Sequence, residues 1–120
     1  MAASSKLATQ DKSDEGSNRE VNEVHLIGRI SVDPVSRDLP SGDRVVTWRL
    51  VVARPKTPSR EAGVDTIDCA AWSASIQRKA ERLVAGSEVQ ISGHLRRRFW
   101  RTPTGPASRY EVEVTDLRRC

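Results

Sequence analysis

Cysteine, histidine and lysine are scarce in these 120 residues, and long apolar runs are missing altogether. The two cysteines, Cys69 inside an apolar stretch and Cys120 at the last position, make no disulfide framework, so a reducing cytoplasm is the expected compartment. No run approaches the roughly 20 apolar residues that a membrane-spanning helix needs. The first residues lack the apolar stretch of a signal peptide, and their acidic side chains argue against a mitochondrial transit peptide. The two histidines, His25 and His94, fall in separate stretches with no carboxylate or cysteine at ligand spacing. There is no P-loop, no dinucleotide-binding glycine pattern and no nucleophile elbow. The expectation is a protein without catalysis, metal or cofactor.

What is abundant is arginine, sixteen against four lysines. The formal net charge is +4, but residues 1–20 hold four acids and three bases, so residues 21–120 carry 17 basic against 12 acidic side chains. Guanidinium groups fork onto phosphates and stack on bases, so this excess suits an anionic partner. Genomic base composition gives the same arginine bias, and charge alone decides nothing. The hydrophobic fraction of 37% and mean hydropathy of −0.55 bound a soluble protein with a modest core. The length suits one domain.

The most informative stretch is Gly86–Trp100, G-S-E-V-Q-I-S-G-H-L-R-R-R-F-W. At period two, Val89, Ile91, Gly93, Leu95 and Phe99 form an apolar face for a core. Gln90, Ser92, His94, Arg96, Arg98 and Trp100 form the opposite face, a polar row ending in two arginines and an indole. Such a face can hold phosphates and stack a base, as single-stranded nucleic acid requires. An edge strand with solvated arginines is the plainer alternative. Arg97 lands on the apolar side and is expected near a rim, where its head reaches water.

Taken in order, residues 1–20 have little to bury and read as a disordered tail, with the folded domain spanning 21–120. The first strand is V-N-E-V-H-L-I-G-R-I, Val21–Ile30, whose apolar residues are dense enough to be covered on both sides. Turns follow at Asp33-Pro34 and at Pro40–Asp43. The second strand, Val45–Ala53, sets Val46, Trp48, Leu50 and Val52 against Val45, Thr47, Arg49 and Val51, which assigns Trp48 to the core. Residues 54–65 form a solvated loop with Arg54, Lys56 and Arg60. In the third strand, Thr66–Trp72, Trp72 shares a face with small and polar residues, leaving its ring room to accept a base, with a core role at the strand end as the alternative. A short helix is expected over Ser75–Val84, and Gly86 sits where a left-handed residue is wanted. The last strand, Arg109–Leu117, sets Tyr110, Val112, Val114 and Asp116 against Glu111, Glu113, Thr115 and Leu117. Three strands, a helix and two strands is the order of the OB-fold, an all-β, five-stranded Greek-key barrel with one short helix between strands 3 and 4.

These pieces, V-N-E-V-H-L-I-G-R-I, D-P-V-S-R with S-G-D-R-V-V-T-W-R-L, I-D-C-A-A-W, A-E-R-L-V-A running into the Gly86–Trp100 stretch, and Y-E-V-E-V, resemble the bacterial single-stranded DNA-binding protein family in order and spacing over residues 21–117. The resemblance implies a homotetramer joined through first strands and wrapped by single-stranded DNA, acting in replication, recombination or repair in the bacterial cytoplasm and nucleoid. It implies base stacking on Trp72 and Trp100, with Arg96 and Arg98 as basic positions leading to the latter. Two further family platforms align with Lys56 and Thr66, which are not aromatic, and Asp68 falls on the DNA face. Arg49, Arg54 and Lys56 are expected to offset this through phosphate contacts. The family's acidic C-terminal tip has no counterpart in D-L-R-R-C, which puts recruitment of repair enzymes in doubt. Two other functions fit the same pieces: an oligomerising OB module with weak DNA binding that modulates a fuller paralogue, and an RNA-binding module.

Overall fold

The computed structural model describes residues 19–59 and 62–120, so nearly all of the tail expected to be disordered lies outside the described residues. The chain runs β1 (Val24–Ile30), β2 (Val35–Asp38), β3 (Arg44–Ala53), β4 (Val64–Ala71), α1 (Ala74–Ala80), β5 (Glu88–Thr102) and β6 (Gly105–Arg119). β1 pairs with β5, β5 with β6, and β6 runs parallel to β4, which pairs with β3. β3 then returns to β1 at Arg29↔Val51 and Ile30↔Leu50, closing the expected five-stranded barrel. β2 is an addition that the sequence did not disclose. It pairs only with β3, from Val35↔Thr47 to Asp38↔Arg44, and all four of its residues are exposed. With nothing buried it leaves no apolar pattern; the two turns that flank it were legible.

The alternation read in the second strand holds. Val46, Trp48 and Leu50 of β3 are buried and meet Ile30, Val89, Ile91, Val112 and Val114 across the barrel. The helix closes one end with Ile76 and Ala80, joined by Leu83. Ser73 caps it by accepting from the Ile76 N–H at 3.3 Å. Buried Gln77 donates to the carbonyls of Ala71 and Arg44, at 3.1 and 2.7 Å, tying the helix to the ends of β4 and β3. The helix stops at Ala80 rather than Val84, because Arg82 and Leu83 bond three residues back and tighten the chain into a turn. Gly86 does take a left-handed conformation, φ +91°.

Two parity readings need correction, the first because of a strand irregularity. Ser92 faces Asp116 but Gly93 faces Val114, so Thr115 is an extra residue on β6, a β-bulge. The bulge flips the parity beyond it, and Leu117, expected opposite Val112 and Val114, is buried with them. The second correction concerns Leu95 and Phe99, expected in the core but 45% and 69% exposed. β1 pairs with β5 only as far as Gly93, and β4 meets β6 only at Cys69↔Val112 and Ala70↔Glu113. Past those points β5 and β6 pair with each other alone, as far as Thr102↔Gly105. They form a two-stranded ribbon that leaves the barrel with both faces open.

Gly93 is what permits the close approach at the bulge. A Cβ there would lie 2.0 Å from the Glu113 carbonyl oxygen, and backbone cannot move aside cheaply. Gly93→Ala is therefore expected to cost about 1–3 kcal/mol or more, read as a lower midpoint in urea unfolding. An unchanged midpoint would show that the strands separate there without loss.

Candidate nucleic-acid interface

Trp72 follows β4 directly and lies under a guanidinium from β5. The Arg98 head stacks 4.4 Å from the centre of the Trp72 ring, and its Nε donates to Glu111 at 2.7 Å. Glu111 is itself only 9% exposed, so carboxylate, guanidinium and indole form a fixed stack at the base of the ribbon. The Trp72 indole N–H is buried without a hydrogen-bond partner among the described residues. Trp100 lies farther out on the same ribbon face, half-exposed, with the Arg109 guanidinium 5.8 Å from its ring centre.

Trp72, Arg98 and Trp100 line a groove of about 440 Å³. A second depression of about 240 Å³ is lined by Arg49, Asp68 and Trp48. Arg37, Thr47, Arg109 and Glu111 line both, so the two join into one trough running from β3 to the ribbon. The trough is not simply basic. Asp68 lies between Arg49 at 3.4 Å and Arg109 at 3.5 Å, and Arg96 bonds Glu113 at 2.8 Å. The acids are felt beneath the sheet as well. Burial foremost, then the charges of Asp68 and Glu111, push the Cys69 thiol up to about 12.

Of the residues singled out in the sequence, the fold thus brings Trp72, Trp100, Arg98 and Arg49 to one trough. Arg96 shares the ribbon face of Arg98 and Trp100. Arg54 and Lys56 do not line it. Arg54, at the end of β3, bonds Asp65 at 3.0 Å and the Val64 carbonyl at 3.1 Å, and Lys56 is exposed in the connection that follows. Sequence reasoning missed Arg109 and Arg37. Arg109 shares the parity of Glu111 and sits directly opposite Arg98, a signal that was available. Arg37 lies on β2, which left none.

Residues 21–119 match the Single-strand binding protein family. The chain belongs to this family. A single-stranded DNA-binding protein A of Bacillus subtilis is 35% identical over 86 residues, which cover 71% of this chain and 50% of that protein. Single-stranded DNA-binding protein 3 of Listeria innocua is 35% identical over 98 residues, 81% of this chain and 59% of that protein. The chain spans about half the length of these curated relatives. Another member, single-stranded DNA-binding protein 1 of Synechocystis, is 29% identical and covered to 81% on both sides. A Plasmodium falciparum protein solved as an SSB complex with ssDNA superposes with a TM-score of 0.74 over 87% of this chain and 98% of its own, at 23% identity, and shares the fold.

The stack on Trp72 depends on Glu111 holding Arg98. Glu111→Gln is expected to release the guanidinium and cost about 1–2 kcal/mol, less than for a fully buried pair because a third of Arg98 is exposed. Chemical denaturation measures that loss, and a red-shifted tryptophan emission would accompany it. Wild-type stability would mean that Arg98 is held by the indole alone.

Proposed function

We propose that this chain binds single-stranded DNA irrespective of sequence, and serves DNA replication, recombination or repair as family members do. Bases stack on Trp72 and Trp100, and Arg96, Arg98 and Arg49 take phosphates. The observation that carries this is the trough itself, in which Trp72 and Trp100, from separate elements, and guanidinium groups from four strands line one open path. Arg54 and Lys56 lie outside the trough and contribute only where a longer strand passes the β3–β4 connection. Assembly into a homotetramer belongs to the same reading. In its support, Ile27 of β1 is 54% exposed, and Val24–Ile27 pair with β5 only, leaving the other strand edge to a second copy.

Intrinsic tryptophan fluorescence should fall when oligo-dT is added, with affinity dropping steeply as salt rises. Trp100→Ala should weaken binding about fivefold or more on every sequence, given roughly 1–3 kcal/mol per stacked base. A long oligonucleotide that leaves the fluorescence unmoved at low salt would sink the reading.

Asp68 gives a second test of opposite sign. Phosphate must displace it from Arg49 and Arg109, so Asp68→Asn should raise affinity by ~3–10-fold and steepen the salt dependence. Weaker binding by that variant would mean that Asp68 positions the two arginines and does not compete with DNA.

A further inference from the structure

The two faces of the ribbon differ in how their arginines are occupied. On the trough face, Arg96, Arg98 and Arg109 each hold a carboxylate, from Glu113, Glu111 and Asp68. The outer face presents Leu95, Arg97, Phe99 and Arg101 from β5, opposite Val112, Tyr110, Ser108 and Pro106 of β6. That register puts no acid on the outer face. Neither Arg97 nor Arg101 is ion-paired among the described residues. Arg97 only donates to the Ser108 hydroxyl, at 3.1 and 3.2 Å.

Between them lie aromatic rings that the barrel does not use. Phe99 is 69% and Tyr110 57% exposed, and the Arg97 guanidinium sits 5.0 and 5.3 Å from their ring centres. The result is a row in which cation and π-face alternate, with one side of each ring open. Phe99 also touches the end of the trough beside Trp100, so a strand stacked on Trp100 reaches Phe99 by crossing the ribbon edge.

We infer that this outer face, Arg97, Phe99, Arg101 and Tyr110, is a second binding surface for single-stranded DNA, which continues from the trough around the ribbon. The inference rests on the reading of the trough given above. Unpaired guanidinium groups and open rings, with no carboxylate among them, match a polyanion that carries stackable bases. An acidic or apolar protein surface would leave either the rings or the charges without use.

The test uses the full chain with one single and one double variant, Tyr110→Ser and Arg97→Gln with Arg101→Gln, none of which lines the trough. Each is titrated with a dT oligomer of about 8 nucleotides, within what one OB barrel occupies, and with poly-dT. Tryptophan quenching reports the trough, anisotropy of labelled DNA reports total affinity, and light scattering reports assembly. The expected result is short-oligomer affinity and quenching within about twofold of wild type, and poly-dT affinity lowered about fivefold or more in the aromatic variant. The arginine variant should show a shallower salt dependence on poly-dT alone. Wild-type poly-dT binding by both variants would overturn the second surface and leave the trough intact. A smaller assembly in the aromatic variant would overturn it too, by making the face a contact between copies. Wild-type protein that bound neither oligomer would overturn both readings.

Discussion

Everything in this molecule turns on one close backbone contact, the approach of Gly93 to the Glu113 carbonyl at the β5–β6 bulge. A side chain there would meet that oxygen at 2.0 Å, so only glycine lets the two strands come this near. The extra residue, Thr115, increases the local twist and turns Leu117 into the core along with Val112 and Val114. On one side of the contact the strands are staves of a closed barrel, roofed by α1. On the other, past the pairing of Val112 with Cys69, they are a free ribbon that carries Arg96, Arg98, Trp100 and Arg109. The barrel thus anchors the ribbon, with one glycine between them.

The electrostatics follow from where the ribbon meets the barrel. Arg98 is held by an almost buried carboxylate and lies flat on Trp72, a geometry that a solvated arginine would leave for rotamer entropy. The same acids that order the arginines also neutralise them. Attraction to a polyanion is set by what remains after pairing, so the net charge overstates the pull of the trough and understates that of the unpaired outer face. Order and affinity are traded against each other along the trough.

The barrel was legible because its signals are local and redundant. Val46, Trp48 and Leu50 alternate in register, Ser73 caps a helix with apolar residues at helical spacing, and glycine marks the turn at 86. Trp72, Trp100 and Arg98 were found by parity for the same reason, since each lies within a strand's length of a buried anchor. Leu95 and Phe99 were misplaced because parity tells which residues share a face but not how far the core extends under it. That limit is set by where β1 and β4 stop pairing, a long-range fact. β2 and its Arg37 were invisible because four exposed residues carry no burial pattern. Arg54 and Lys56 pointed to the trough only through resemblance, and the fold directs Arg54 to Asp65 instead.

The scarcity of aromatics then acquires a meaning that composition alone could not give it. Of five rings in the chain, only Trp48 is spent on the core. Aliphatic residues fill the rest, which a small barrel permits because its interior is narrow enough for valine, leucine and isoleucine to pack across. The other four rings gather at the ribbon, Trp72 at its base, Trp100 on one face, Phe99 and Tyr110 on the other. Each of the four has a guanidinium within 6 Å of its centre, from Arg98, Arg109 or Arg97. On the reading proposed above, exposed rings beside cations suit contact with a partner that is both flat and anionic.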